Sequence, residues 1–149
     1  MRQALEALES LLDTAGAGDG MSPVLELVTV DGEGFPFCCL LSCRQIVVRA
    51  GAPAGGEPGA NVLALLRGSR PNAHLASNGL ATLSFVADDA HGMLRLKAAE
   101  SHPLAGGTLW TFGVPGGSLD RRAEVLTSIS YRAPDLDAAE GCPLSELIR

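Results

Sequence analysis

Residues 68–85 read GSRPNAHLASNGLATLSF, and this stretch predicts a short helix directly followed by a strand. Ser69 has the side chain of a helix N-cap, Pro71 falls in the first turn, and Gly79 is typical of the residue that ends a helix. The run from Ala81 to Val86 then predicts a strand. The first expectation for the fold is therefore a small helix inserted among strands.

Strands dominate the rest of the chain. VLELVTV at 24–30 predicts a strand, and Asp31-Gly32-Glu33-Gly34 predicts the turn that follows it. Residues 37–48 predict either one long bent strand or two strands that turn near Ser42 to Arg44. VLALL at 62–66 leaves strand and helix open, because its position favours a strand while its Leu and Ala favour a helix. Further strands are predicted at Met93 to Ala99, Thr108 to Gly113 and Glu124 to Arg132, with a turn at PGGS, 115–118.

Arg2 to Thr14 predicts a helix, because leucines recur on one face and acidic residues lie away from it. The glycine-rich run at 15–20 ends that helix, and residues 51–60 predict a flexible surface loop. Five or more short strands with one inserted helix predict a barrel-like antiparallel sheet. We expect one domain over residues 1–149, in which 1–20 form an N-terminal helix and linker and 134–149 form an acidic tail.

The composition restricts the possible partners. Of the 149 residues, 46% are hydrophobic, 19% are charged and the formal net charge is −6. Such low surface charge suggests a buried oligomer face. The acidic balance argues against a nucleic-acid or anionic-membrane partner. Residues 44–97, however, carry six basic and three acidic side chains, which suggests either an anionic small ligand or paired surface charges.

No apolar stretch is long enough for a membrane span or a cleaved leader, so we expect a cytoplasmic protein. Its four cysteines are then expected to be reduced. In a strand, Cys39 and Cys43 share one face and Cys38 lies on the other. No second cysteine or histidine pair completes a zinc site, so no metal is expected. Asp88-Asp89 and Arg121-Arg122 are each interpreted as turns.

Three segments together resemble a known family. VTVDGEGFPF at 28–37 resembles the Val-Asp-x-x-Gly-x-Pro hairpin that opens the flavin-binding split barrel. GSRPNAHLASNGLATLSF is similar to the Gly-Ser-Arg-Lys helix, Asn-Pro and strand of pyridoxamine 5′-phosphate oxidases. YRAPDLDAAEGCPLSELIR at 131–149 looks like the Tyr-Arg-x-x-Pro segment that closes that family. The order and spacing of these motifs carry the resemblance from residue 24 onward.

The resemblance implies a mainly β, homodimeric split barrel that binds FMN at the dimer interface. In that family, basic residues on an early strand and a Ser-Arg-Lys turn hold the FMN phosphate, and Ser69 and Arg70 match that turn. The early strand aligns in two registers. In one, Cys39 replaces the family arginine and Arg44 matches its lysine; in the other, Arg44 matches the arginine and Arg49 the lysine. The implied cofactor residues are Arg44, Arg49, Ser69 and Arg70, and no catalytic residue is assigned.

Several positions depart from the family pattern. Pro71 replaces the second basic residue of the turn, and Met93 replaces a glutamine that would reach the flavin ring. Ala138 and Ala139 replace a tryptophan. Glu146 and Ile148 replace the arginine and histidine that would hold pyridoxal phosphate, and a carboxylate there would repel a phosphate. The resemblance therefore implies a flavin-dependent oxidoreductase related to the oxidase but without its activity.

A second hypothesis is a cofactor-free split-barrel dimer that binds a small ligand or acts as an interaction module. One fold hosts several activities, so the fold does not choose between the two hypotheses. Trp110 and Phe112 alternate on one predicted strand. They are interpreted as core or interface residues, or alternatively as a surface for the flavin ring to stack on.

Overall fold

The turn at Asp31–Gly34 joins the first two strands of the sheet, as the sequence predicts. Asp31 Oδ1 accepts backbone N–H bonds from Glu33 at 2.9 Å and from Phe35 at 2.8 Å. Gly34 has a φ of 92°, in the left-handed region that glycine favours. The bond from the Phe35 N–H holds the pKa of Asp31 below its ordinary value of 3.8. The ionised carboxylate therefore stabilises the hairpin.

The computed structural model describes residues 1–15, 22–51, 59–87, 89–121 and 130–131. Helix α1 spans Arg2–Ala15 and helix α2 spans Ser69–Asn78. A short 3₁₀ turn, Cys43–Gln45, follows the second strand. The strands are β1 (Ser22–Val30), β2 (Pro36–Ser42), β3 (Ile46–Gly51), β4 (Gly59–Leu66), β5 (Leu80–Ala87), β6 (Ala90–Leu104), β7 (Gly107–Arg121) and β8 (Ser130–Tyr131).

The strands form one curled antiparallel sheet in the order β2-β1-β5-β6-β7-β4-β3, and β8 pairs with β1. Consecutive strands β2 and β3 therefore lie at opposite ends of this order. The side chain of Gln45 links the 3₁₀ turn between them to β4, because its Nε2 donates to the Leu65 carbonyl at 3.1 Å. The prediction of a mainly β, barrel-like sheet is confirmed.

The core fills the concave face of the sheet. Leu27 of β1, Leu83 of β5 and Leu94 of β6 follow one another across the strands, and all three are fully buried. Helix α1 covers this face with Ala4 and Leu8, which are also fully buried. Trp110 and Phe112 of β7 complete the same cluster, so the interpretation of the two rings as core residues is correct. A low-aromatic core of leucine and alanine is what the composition indicates.

Helix α2 ends at Gly79, as predicted, with a φ of 69° and an N–H bond of 2.9 Å to the Leu75 carbonyl. Its predicted start is wrong, because the N-cap is Gly68 and Ser69 is the first helical residue. A serine N-cap accepts an N–H from the second or third helical residue. If Ser69 were the N-cap, the second helical residue would be Pro71, which has no N–H, so the capping hydroxyl would lose one of its two donors.

The predicted turn at PGGS is also wrong, because residues 115–118 lie inside β7 and pair with β6. A Cβ on Gly117 would lie 2.6 Å from Leu94 Cδ2 and 2.9 Å from the Met93 carbonyl oxygen. The glycine therefore permits a close approach of two strands, which the sequence does not distinguish from a turn. Pro115 falls where the register shifts between Arg95 and Lys97, an irregularity at which a strand tolerates proline.

Three smaller expectations are settled. Of the two alternatives for residues 37–48, the pair of strands is correct, and the strands are separated by the 3₁₀ turn Cys43–Gln45. Cys43 lies in that turn, so it does not share a strand face with Cys39 as expected. VLALL is a strand, part of β4. Arg121 ends β7 and is not in a turn, whereas Asp89 lies in the turn between β5 and β6.

Several predictions lie outside the described residues. These are the linker after Ala15, most of the 51–60 loop, Asp88, Arg122, all of the predicted strand 124–132 except β8, and the tail with Cys142, Glu146 and Ile148. Within the ranges that are described, neither helix is both long and apolar enough to cross a membrane.

Candidate functional site

A cleft of about 530 Å³ lies between β2 and the start of α2. Its volume falls within the range of small-molecule sites. One wall comes from the edge strand β2 and the 3₁₀ turn that follows it, and is mainly apolar. The residues of this wall are Phe37, Cys39, Leu40, Leu41 and Gln45.

The opposite wall is formed by residues 66–71, the connection from β4 into α2, and it is cationic. It contains two exposed arginines, Arg67 and Arg70. The first N–H groups of a helix have no partner within it, and the helix dipole adds partial positive charge at this end. The backbone N–H groups of Ser69 and Arg70 therefore add hydrogen-bond donors to the two guanidinium groups. Such a wall suits an anion, and a phosphate above all.

Phe37 is held between two side chains of α2. The guanidinium carbon of Arg70 lies 5.8 Å from the centroid of the Phe37 ring, and the His74 ring meets Phe37 edge-on at 6.0 Å. His74 is itself fixed, because its Nδ1 lies 3.0 Å from the fully buried Thr29 hydroxyl. Arg70 and His74 are one helical turn apart, so both reach the same strand. The aromatic part of the β2 wall is thus fixed by the helix that forms the other wall.

The cysteine of the β2 wall is a neutral thiol. Cys39 is half-buried, and its Sγ donates to the Leu27 carbonyl at 3.5 Å. Burial, with a smaller contribution from Cys38, raises the pKa of Cys39 to about 11. The neutral form therefore dominates at pH 7. Cys43 is buried, with its Sγ 3.4 Å from the Pro23 carbonyl, whereas Cys38 is exposed on the other side of β2.

The structure brings together two of the four cofactor residues that the sequence suggests. Ser69 and Arg70 lie side by side in the cationic wall. Arg44 is exposed in the 3₁₀ turn, directly before the lining residue Gln45, and Arg49 is exposed on β3. Neither Arg44 nor Arg49 lines the cleft. A shared phosphate site for Arg44 and Arg70 stays a prediction.

Besides the lining leucines Leu40, Leu41 and Leu66, sequence reasoning missed Phe37, Gln45 and Arg67 as lining residues. Arg67 directly precedes the Gly-Ser-Arg motif and Phe37 ends the hairpin motif, so a search next to those motifs would have found both. Gln45 has no comparable signal. Its side chain accepts the Ser42 N–H at 3.0 Å and donates to the Leu65 carbonyl, and this second contact depends on the pairing of β3 with β4, in which Ile46 lies opposite Ala64.

The convex surface of β2, β1, β5 and β6, called here the outer face, carries exposed apolar side chains. Leu40, Glu26, Ser84 and Met93 form one row across these four strands. Leu40 is 48% exposed and Met93 is 42% exposed. Met93 therefore lies on the outer face and is not part of the cleft lining. Leu40 also lines the cleft, so the cleft opens at the margin of the outer face.

Known proteins match this chain by fold and not by sequence. No protein-family model and no curated protein matches it. The styrene monooxygenase flavin reductase of Pseudomonas putida S12 superposes with a TM-score of 0.58 at 10% identity, over 79% of this chain and 91% of that one. An F420 reductase is also similar, with a TM-score of 0.49 at 14% identity over 74% of this chain and 94% of that one. So is nitrilotriacetate monooxygenase component B from Mycobacterium thermoresistibile, with a TM-score of 0.48 at 15% identity over 93% of this chain and 92% of that one.

At such low identity the likeness to the first of these proteins shows the fold alone. That fold is the split barrel of flavin reductases, which confirms the expected fold class.

Proposed function

We propose that this protein binds FMN in the cleft between β2 and α2 and acts as a flavin-dependent oxidoreductase. The observation that carries the proposal is the pairing of an apolar wall with a cationic wall that begins a helix, in one cleft of about 530 Å³. FMN has the same two parts, a flat apolar ring system and a terminal phosphate. The fold adds support, because a protein with a similar chain path is a flavin reductase.

The cationic wall fits the phosphate. A phosphate dianion is best held by charge-assisted bonds, and Arg forms these in pairs. Arg70 and the backbone N–H groups of Ser69 and Arg70 supply such donors at one place, and the Ser69 hydroxyl adds one more. Arg67, one residue before the N-cap, adds a second cation to the same wall.

The β2 wall fits the ring system. Phe37, Leu40 and Leu41 present apolar surface, and the thiol of Cys39 carries no charge at neutral pH. Gln45 adds an amide that can hydrogen-bond the polar edge of a flavin. A bound flavin supplies the hydride and electron transfer. The residues of this chain bind it, orient it and exclude water from one side of it.

The described lining residues contain no Asp, Glu or His side chain. Cys39 is neutral at pH 7, because burial raises its pKa to about 11. A hydrolase would need a general base or an activated nucleophile at this place. The lining therefore favours chemistry carried by a bound cofactor. In this proposal the protein is a relative of pyridoxamine 5′-phosphate oxidase that acts on a different substrate, which Glu146 and Ile148 suggest from the sequence alone.

We also propose that the protein is a homodimer through its outer face. Leu40, Met93 and Leu80, which is 54% exposed, leave apolar surface on strands whose other face is the core. Half-buried Val28 and Val86 extend the same surface. Oppositely charged side chains, Glu26 and Arg95, lie within this surface and suit pairing between two copies of it. A partner there would border the cleft, because Leu40 belongs to both.

Titration with FMN and with riboflavin tests the proposed function. Riboflavin has the same ring system and lacks the phosphate, so we expect it to bind more weakly than FMN by about tenfold or more, the contribution of charge-assisted bonds. Flavin fluorescence and the visible spectrum report both equilibria. Equal affinities would mean that the FMN phosphate does not bind at the cationic wall. If neither compound binds at micromolar concentrations, the proposal fails and a cofactor-free binding module is the better account.

A further inference from the structure

Asn72 of helix α2 has a side-chain amide that is bonded at both ends. Its Oδ1 accepts the indole N–H of Trp110 at 2.7 Å. Its Nδ2 donates to the Gly68 carbonyl at 2.9 Å and to the Leu66 carbonyl at 3.2 Å. An amide group has two N–H donors, and both have acceptors here. Asn72 therefore ties strand β7 to the connection that leads into its own helix.

Trp110 fixes which way this amide faces. An indole N–H can only donate, so the amide oxygen must face Trp110 and the amide nitrogen must face the β4–α2 connection. Trp110 is itself held in the core, where it is 7% exposed and stacks on Phe112 with the ring centroids 6.3 Å apart. The position of the connection is thus set by a core residue that the cleft does not contact.

The connection that Asn72 holds is the cationic wall of the cleft. Leu66 and Gly68, whose carbonyls accept from Asn72, are lining residues, and so are Ser69 and Arg70 directly after them. Asn72 does not itself line the cleft. We propose that Asn72 is a positioning residue, which holds the start of α2 so that the phosphate donors at Ser69 and Arg70 keep their place before the ligand arrives. This role rests on the proposed function, because the ligand in question is the FMN phosphate.

Preorganised donors bind more tightly because no ordering cost is added on binding. In Asn72→Ala the carbonyls of Leu66 and Gly68 and the indole N–H of Trp110 lose their bonds to the Asn72 side chain. The donors at the start of α2 are then no longer held in place. We expect the Kd for FMN to rise about tenfold. Riboflavin, which has no phosphate for these donors, should bind as in the unmodified protein. A merely structural role would lower both affinities alike.

Asn78→Ala is the matched control. Asn78 is on the same helix and its amide is also bonded at both ends, to the Val30 carbonyl at 2.7 Å and from the Leu80 N–H at 2.9 Å. It lies at the far end of α2 from the cleft. The control should lower the thermal midpoint and leave the FMN-to-riboflavin ratio of affinities unchanged. If Asn78→Ala shifts that ratio as much as Asn72→Ala does, the assignment to Asn72 is overturned.

Two further readouts do not depend on flavin. Hydrogen exchange should become faster at Ala73 to Leu75, the first hydrogen-bonded amides of α2 after Asn72, in Asn72→Ala and not in the control. The emission of Trp110, the single tryptophan of the chain, should shift when its N–H partner is removed. If the unmodified protein binds no flavin, the proposed function fails and the exchange result still decides whether Asn72 holds the helix start.

Trp110→Phe covers the case in which Asn72→Ala does not fold. It keeps a stacked ring and removes the N–H, while Asn72 keeps its bonds to the two carbonyls. We expect a smaller loss of FMN affinity, about two- to threefold, with riboflavin again unaffected. The proposal is overturned if FMN binding and hydrogen exchange at Ala73 to Leu75 are both unchanged in whichever of the two variants folds.

Discussion

The guanidinium carbon of Arg70 lies 5.8 Å from the centroid of the Phe37 ring, so a cation is already present above the one aromatic side chain among the described residues that line the cleft. An exposed contact of this type contributes about 0.5–1 kcal/mol. That is less than a phosphate offers an arginine through paired charge-assisted bonds. Arg70 is therefore held near the cleft by a contact that a phosphate ligand can outcompete.

Replacing Arg70 should weaken FMN binding. Arg70→Ala removes paired bonds to the phosphate, and we expect a loss of about 1.5–3 kcal/mol, or roughly ten- to a hundredfold in Kd. Arg70→Lys should recover only part of this, because lysine lacks the forked geometry. Fluorescence titration at matched salt measures each Kd. Arg2→Ala is the control, since Arg2 is an exposed arginine that pairs with Glu6 of α1. An equal loss in both alanine variants would mean that only net charge matters.

The two alignments of the early strand make different predictions for Arg44 and Arg49. In both alignments Arg44 matches a basic cofactor position, so Arg44→Ala should weaken FMN binding by about tenfold or more. Arg49→Ala should do so only in the alignment that reads RQIVVR as the motif. The same titration separates the two cases. If Arg44→Ala binds FMN as the unmodified protein does, both alignments are wrong.

A charge on the outer face should separate the proposed dimer. Met93 is 42% exposed at the end of the row that begins at Leu40, and Met93→Glu would place a carboxylate in the interface. Stable dimers of this kind bury about 2,000 Å² or more, and an unpaired buried charge there is strongly unfavourable. Sedimentation equilibrium at micromolar concentration should give a dimer for the unmodified protein and a monomer for Met93→Glu.

Leu104→Glu is the matched control for that experiment. Leu104 is 41% exposed but lies at the tip of the β6–β7 hairpin, so the variant should remain dimeric. A stable monomer of the unmodified protein would contradict the proposed assembly outright.

The β1–β2 hairpin should lose stability in acid through Asp31. Its pKa is lowered in the folded protein, chiefly by the Phe35 N–H, so its ionised form favours folding. This contribution is fully present above the ordinary value of 3.8 and is lost as the pH falls through the lower folded value. In urea unfolding, the difference between the unmodified protein and Asp31→Asn should be largest near neutral pH and shrink below pH 3.8. A difference that does not vary with pH would contradict this role.

Turnover of pyridoxamine 5′-phosphate should be poor. The sequence resemblance to pyridoxamine 5′-phosphate oxidases aligns Glu146 and Ile148 with that family's cationic and imidazole side chains. The loss of one charge-assisted bond costs about 1.5–3 kcal/mol, and a carboxylate facing a phosphate adds repulsion. Formation of pyridoxal phosphate by the FMN-loaded protein, followed by its absorbance, measures this. Efficient turnover would show that these two substitutions do not decide the substrate.

Local patterns predicted those parts of the fold that local backbone chemistry decides. Asp31 and Gly34 make a hairpin through bonds within five residues, and Gly79 ends α2 because it adopts the left-handed conformation and donates its N–H to the Leu75 carbonyl. Gly117 shows the limit. A glycine is required at position 117 because of Leu94, a residue on a different strand. The local sequence PGGS by itself predicts a turn.

Sequence motifs predicted only those residues of the candidate site that are neighbours in one segment of the chain. Ser69 and Arg70 are adjacent in sequence and adjacent in the cleft. The opposite wall depends on the strand order, which places β2 at the far end of the sheet from β3 and curls the two ends together. The bond from Gln45 to the Leu65 carbonyl in turn continues the pairing of β3 with β4, in which Ile46 lies opposite Ala64. No periodicity within residues 36–45 contains this information.

The pKa of Cys39 has a practical consequence for the durability of the cleft. Thiolate, and not thiol, is the form that peroxide oxidises and alkylating agents modify. With a pKa of about 11, roughly one Cys39 in ten thousand is ionised at pH 7. At neutral pH the sulfur of Cys39 should therefore react with peroxide or an alkylating agent more slowly than an ordinary exposed thiol does.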